Sequence, residues 1–259
     1  MEKSFQVGAD GALDVRIASG KVEVKRGQEG VIVVSGRGDT GNLSVEQHGS
    51  TVWVSSEPRS TQISKRIHIG VGRSVYLSIE VPEGIDIDVN VASADFECEP
   101  PSARINVNSA SGDIRFTDAG ELTVKTASGD VHGHKVSGKL HFVSASGDLH
   151  VESIGDRASI STASGDIQIG EASGPVITST MSGDVQVRRF GGDDFAAKSM
   201  SGSVDIGLPA GSSVDVEATT LSGEIILPEP RDTPSDATAA GTVDLKVKLV
   251  SGDLKVRRV

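Results

Sequence analysis

The feature that most constrains this chain is a tripeptide of serine, glycine and an acid that returns at a nearly fixed interval. It stands at Ser111-Gly112-Asp113, Ser128-Gly129-Asp130, Ser146-Gly147-Asp148, Ser164-Gly165-Asp166 and Ser182-Gly183-Asp184. Weaker copies follow at Ser201-Gly202-Ser203, Ser222-Gly223-Glu224 and Ser251-Gly252-Asp253, and Ser93-Ala94-Asp95 reads as a degenerate first copy. Successive glycines lie 17, 18, 18, 18, 19 and 21 residues apart, and a last interval of 29 holds the Pro/Asp/Thr/Ala-rich segment Pro228–Ala240. A period near 20 residues marks a repeat architecture, in which each unit is too small to bury its own apolar face and must stack on its neighbours.

Within each unit the apolar residues alternate. Ile114/Phe116, Leu149/Val151, Ile167/Ile169, Val185/Val187, Val204/Ile206 and Leu254/Val256 follow the corner, and Leu122/Val124, Leu140/Phe142, Ala158/Ile160 and Val214/Val216 follow a second turn. Period-two runs of four to six residues bounded by Gly, Ser and Asp are strand signatures. The pattern predicts an all-β fold: a parallel β-solenoid of about 18-residue coils, two short strands per coil, at residues 93–259 with a flexible insertion near 228–241. The residues two before each glycine are Ala110, Ala127, Ala145, Ala163, Met181, Met200, Leu221 and Val250, apolar and expected to point inward. Residues 1–92 alternate less regularly, Ile67/Ile69 included, with turn signals at Asp39-Thr40-Gly41-Asn42 and Glu57-Pro58-Arg59-Ser60. They are expected to form an N-terminal β region capping the solenoid, since a bare terminal coil exposes unpaired strand edges. At the other end, Lys255, Arg257 and Arg258 on the last strand are expected to discourage end-to-end pairing.

Composition narrows the function. The chain of 259 residues has a net charge of −11, 31 glycines, one cysteine and 3% aromatic residues. The acidity argues against a nucleic-acid partner, which demands Lys and Arg to displace counterions. A single cysteine excludes a disulfide framework, and the scarce aromatics remove the usual stacking platforms for sugars or bases. No export signal or apolar membrane span is visible, so the expected place is the cytoplasm, with envelope association through a partner or a removed anchor.

The repeated A-S-G-D-[ILV]-x-[VI] pattern, preceded by Val-Pro-Glu-Gly-Ile-Asp-Ile-Asp-Val at residues 81–89 and echoed by Leu208-Pro209-Ala210-Gly211-Ser212-Ser213-Val214-Asp215-Val216, resembles a family of bacterial β-strand-repeat proteins described as "putative adhesins", of unknown function. The resemblance covers residues 75–259 most clearly. It implies a β-solenoid, frequent association with the bacterial envelope and no established enzymatic activity.

Several residues are candidates for chemistry. Asp95, Asp113, Asp130, Asp148, Asp166 and Asp184, with Glu224 and Asp253, form a row of acids at equivalent corners. Each is expected to accept hydrogen bonds from its own turn, the alternative being a calcium row over Asp113, Asp130, Asp148, Asp166 and Asp184. His132 and His134, with His150 one coil later, are expected to be solvated surface residues, a transition-metal site being the alternative. Cys98 is expected to be a small core residue. Asp193-Asp194 is the only pair suggesting a polysaccharide-acting enzyme, and Arg188-Arg189 is read as a solvated turn. Gly112, Gly129, Gly147, Gly165, Gly183, Gly202, Gly223 and Gly252 are read as turn formers. The expectation is a non-enzymatic module, without cofactor, presenting a repetitive polar surface to a protein, a glycan or another copy of itself.

Overall fold

The computed structural model describes all residues except 9, 39, 42, 57–73 and 229–239, together with the side chains of 240 and 241. Ile67/Ile69, the Glu57–Ser60 turn, parts of the Asp39–Asn42 turn and most of the 228–241 insertion therefore lie outside the described residues. The described residues are strand, turn and irregular backbone, with no helix. Contacts divide the chain into two compact units: residues 1–120 with 124–129, and residues 121–123 with 130–259.

The first unit contains β1 (Glu2–Gln6), β2 (Ala12–Arg26), β3 (Val31–Gly38), β4 (Ser44–His48), β5 (Thr51–Ser55), β6 (Val75–Val81), β7 (Asp86–Cys98), β8 (Ser102–Ser111) and most of β9 (Ile114–Ser128). Asp86 pairs in parallel with Arg104, and Phe96 with Ile114, a step of 18 residues. β2 lies in the same stack: Ala12 pairs with Asp86 and Val24 with Cys98. Its corner is Ser19-Gly20-Lys21, which carries lysine where all but one of the other corners carry an acid; Gly20 has a φ of +133°. On its other side β2 is covered by β5 and β6 in parallel. Antiparallel strands then close the stack, β3 on β6, β1 on β3 and β4 on β5.

The second unit continues through β10 (Val131–Val136), β11 (Leu140–Ser146), β12 (Leu149–Ile154), β13 (Ala158–Ser164), β14 (Ile167–Ala172), β15 (Val176–Ser182), β16 (Val185–Phe190), β17 (Asp194–Ser201) and β18 (Val204–Leu208). It ends with β19 (Ser212–Ser222), β20 (Ile225–Ile226), β21 (Ala240–Ser251) and β22 (Leu254–Arg258). From β10 to β16 each strand pairs in parallel with the strand two further on, Val131 with Leu149, Leu149 with Ile167, Ile167 with Val185. The result is a solenoid-like stack of coils held by backbone hydrogen bonds and filled by the alternating apolar residues. Leu149, Ile167, Val185, Val204 and Leu254 are all fully buried in one interior column.

The coil order departs from the chain order at the C-terminal end of this unit. β17 pairs with β21, and β21 pairs in turn with β19. Likewise β22 lies between β18 and β20. The last coil in sequence is thus the penultimate coil in space. Lys255, Arg257 and Arg258 are therefore not on the outermost strand, contrary to the expectation above. Arg257 bonds Asp205 at 2.8 Å and Arg258 donates to the Ser212 carbonyl at 3.0 Å.

The residues two before each glycine also depart from expectation. Leu221 is 81% exposed, Met181 58% and Met200 56%, and Val250, Ala110, Ala127 and Ala145 are exposed as well. Strand parity decides this. With Ile160 pointing inward, Thr162 must also point inward, and Ala163 then faces out. The interior at the corner is lined by small hydroxyl residues instead: Ser144, Thr162, Thr180 and Ser199 are buried in register with one another.

Candidate functional site

The corner glycines set the geometry of the acidic row. Gly112, Gly129, Gly147, Gly165, Gly183, Gly202, Gly223 and Gly252 have φ between +122° and +146°. A side chain is disfavoured there on backbone grounds, and packing disfavours it again: a Cβ on Gly183 would sit 2.2 Å from the Gly165 carbonyl oxygen. Coils approach so closely at this edge that only backbone fits between them.

That approach carries each acid to the backbone of the next coil. In the first unit the Asp113 N–H donates to Asp95 Oδ1 at 3.0 Å. In the second, Asp148 donates to Asp130, Asp166 to Asp148, Asp184 to Asp166 and Ser203 to Asp184, at 2.7–3.0 Å. The Asp253 N–H reaches Ser203 Oγ at 3.3 Å, and the Glu224 N–H reaches Asp253 Oδ1 at 2.8 Å. The acids thus bridge coils, where the sequence suggested bonds within one turn. Asp95, Asp130, Asp148, Asp166, Asp184 and Asp253 each offset repulsion from neighbouring acids by accepting a backbone donor, a strong charge-assisted bond. Among the described residues no group meets the Glu224 carboxylate, at the end of the row.

The other candidates fall on separate faces. The His132 and His150 rings lie one above the other in register, 6.0 Å between centroids, and His134 is exposed on the same strand as His132. His150 Nε2 meets Glu152 Oε1 at 2.9 Å and Arg188 also bonds Glu152, holding its carboxyl below the usual carboxylate range. Arg188 reaches Glu152 over Gly170, where a Cβ would lie 2.7 Å from the guanidinium. No cluster of three metal-ligating side chains occurs among the described residues. Arg189 lies 3.8 Å from Glu171. Asp193 and Asp194 are both exposed, and the Asp193 carbonyl accepts the Asp244 N–H. Cys98 is 1% exposed, and burial pushes its thiol up to about 11.

Two groupings were not visible in the sequence. In the first unit Lys21 bonds Glu23 at 2.6 Å and Glu97 at 3.0 Å, and Lys25 bonds Glu23 at 3.1 Å. Tyr76 donates to the same Glu23, and these donors, Lys21 foremost, bring the Glu23 carboxyl down to about 2. Nearby in register, Arg16 donates two hydrogen bonds to the Asp14 carboxylate and lies 4.8 Å from the Trp53 ring centroid. Asn106 donates to Asp88 and Asn108 to Asn90. The pairing strands are far apart in sequence, so no local motif announces either grouping.

In the second unit the exposed residues before the corners form an apolar row. Ser182 pairs with Ser201, Ser201 with Ser251 and Ser251 with Ser222. The adjacent Met181, Met200, Val250 and Leu221 are therefore stacked in that order, one coil apart. Lys198 and Lys248, paired with each other, stand beside this row on one side. The acids of the corner stand on the other. The arrangement offers a narrow apolar ridge between a short basic edge and a long acidic one.

The Toastrack DUF4097 family model matches residues 11–257. No curated protein matches the sequence. Among solved structures, a "putative adhesin" from Parabacteroides distasonis is 8% identical with a TM-score of 0.48, covering 99% of this chain and 96% of that one. One from Bacteroides fragilis is 12% identical with a TM-score of 0.35, covering 100% and 96%. A "putative cell adhesion protein" from Clostridium sporogenes is 10% identical with a TM-score of 0.30, covering 100% and 99%.

Proposed function

The chain belongs to the Toastrack DUF4097 family, and from that premise we propose that it is a non-catalytic binding module that engages a protein partner along the ridge of the second unit. The observation that carries this reading is the exposed row of Met181, Met200, Val250 and Leu221. Contiguous exposed apolar surface is uncommon on a soluble fold and marks contact sites. Methionine suits such a site because its unbranched, polarizable side chain adapts to different partners. A partner segment with apolar side chains and acidic neighbours would match the ridge and the Lys198/Lys248 edge beside it. The corner acids support a structural role, since in the second unit the Oδ1 atoms of Asp130, Asp148, Asp166, Asp184 and Asp253 are each occupied by a backbone N–H.

The test is retention of partners from lysate and envelope fractions by the immobilised protein and by a Met181→Ser/Met200→Ser variant. A band held by the parent and lost in the variant supports the ridge. Equal retention by both overturns it. A glycan reading is favoured by one separate observation, the Trp53–Arg16–Asp14 grouping flanked by the Asn106 and Asn108 bonds. Glycan-array binding abolished by Trp53→Ala would support that reading. A calcium role for the corner row predicts a melting midpoint that falls on chelation; an unchanged midpoint removes it.

A further inference from the structure

We propose that the outermost coil of the second unit, β19 with β20, is a self-association edge on which two copies of this chain pair antiparallel. The proposal does not depend on the ridge described above. Four observations converge on this coil. First, β19 pairs with β21 on one side only among the described residues, whereas the stack of the first unit is closed by antiparallel strands. Second, the interior residues of this coil remain accessible: Val214, Val216, Ala218 and Thr220 are half-buried, where the equivalent Leu245 and Val247 of β21 are 1% exposed. Ile225, Ile226 and Leu227 are 39%, 44% and 46% exposed.

Third, the edge-protecting devices of β19 are limited to two exposed acids, Asp215 and Glu217; it has neither lysine nor proline and no bulge within residues 213–220. The arginines expected to serve there are engaged elsewhere. Fourth, the Glu224 carboxylate stands at the corner position from which, in the other coils of this unit, the carboxylates of Asp130, Asp148, Asp166, Asp184 and Asp253 and the Ser203 hydroxyl each accept an N–H of another coil.

The occupant is a second copy because the strand is compatible with itself in one register. The Asp244 N–H points to the Asp193 carbonyl, so by alternation the N–H groups of Val214, Val216, Ala218 and Thr220 point away from β21. A two-fold axis at Ala218 sets these donors against the carbonyls of the same set in the partner. It also keeps the interior faces on one side. Asp215 then faces Leu221 of the second copy and Glu217 faces Thr219, so no acid opposes an acid. Shifting the axis to Glu217 would place two carboxylates directly opposite, a destabilising arrangement. An edge of roughly 16 residues at about 3.3 Å each and about 10 Å deep covers about 500 Å² per copy. The total of about 1,000 Å² lies at the lower limit for a specific interface, so the dimer is reversible. The nearby acids repel across the axis, so added salt tightens it.

Sedimentation velocity from low to high micromolar concentration, at 50 and 500 mM NaCl, reads the association. Dimer that grows with concentration and with salt is the expected result. Ala218→Pro removes the central donor without removing a bond to β21 and should weaken association at least tenfold. Thr219→Lys places a lysine opposite Glu217 of the second copy and should tighten it about threefold to tenfold. Hydrogen exchange at the Val216, Ala218 and Thr220 amides should slow as dimer forms. A monomer at all concentrations overturns the proposal, as does protection of these amides in dilute monomer, which would mean that the chain covers its own edge. Association unaffected by either variant places the contact elsewhere and overturns it too.

Discussion

Replacing Gly183 by alanine tests whether the corners are fixed by conformation alone or also by the closeness of the coils. Gly183 has a φ of +137°, and its Cβ would meet the Gly165 carbonyl oxygen at 2.2 Å. Gly211 serves as the control: its φ is +89°, but a Cβ there meets nothing within 4 Å. The conformational cost of alanine at positive φ is about 1–3 kcal/mol at either site. The entropy lost from the unfolded chain by Gly→Ala is common to both and cancels in the comparison. Only Gly183→Ala adds an overlap with backbone, which cannot rotate aside, at about 1–3 kcal/mol. Since stacked repeats open locally, each substitution is read by amide exchange at its own neighbouring amides: for Gly211 the Ser212 N–H, which bonds the Pro209 carbonyl, and for Gly183 those of β15–β18. There the Gly183 N–H bonds the Ser201 carbonyl and the Val185 N–H bonds the Ser203 carbonyl. An added 1–3 kcal/mol accelerates exchange roughly five- to 150-fold beyond any effect of the control. If both substitutions accelerate exchange of their neighbouring amides equally, the close-approach argument is wrong.

Phe195→Ala should cost about 3–5 kcal/mol in urea unfolding, because Phe195 is fully buried and meets Phe190 edge-on with centroids 5.4 Å apart. Glu23 has its carboxyl lowered from 4.5 to about 2 by Lys21 first and then the Tyr76 hydroxyl. Its stabilisation of the first unit is complete above about pH 4.5 and is lost as the pH falls toward 2. Melting from pH 6 to pH 2 should show a loss that Glu23→Gln reduces. Cys98, its thiol raised to about 11 by burial, should resist iodoacetamide at pH 8 in the native protein and react in urea. Rapid native labelling would show that the coil around it opens.

The repeat was legible because its steps are short and its strand parity is written locally. Leu149, Ile167 and Val185 follow their corners at one spacing, and all are buried where the alternation places them. Hydrophobicity alone points Met181 and Met200 inward, but strand parity at the corner turns them outward. Parity wins, since a strand cannot turn one side chain inward without displacing its neighbours. The Gly20 corner lacks the sequence signature because Lys21 replaces the acid, although its backbone is otherwise alike. The inter-coil destination of the aspartates was hidden for another reason: their partners lie 18 or 19 residues away. The grouping of Lys21, Tyr76 and Glu97 depends on pairing across still longer separations. Register within a repeat is local information, and the order in which coils stack is not.

That stacking order bears on how the chain is made. Synthesis delivers residues 212–226 before residues 240–258, yet in the finished fold the earlier strand rests on the later one. When β19 emerges, the surface available to it is β17, the seat that β21 finally occupies. The nascent chain therefore meets a contest between two strands of the same periodicity for one docking surface. Leu245, Val247 and Leu249 bring larger aliphatic side chains than Val216, Ala218 and Thr220 at the matching positions, so the later strand holds the greater burial. A chain halted before residue 240 is therefore expected to offer β17 to β19, a pairing that the completed fold gives to β21 instead.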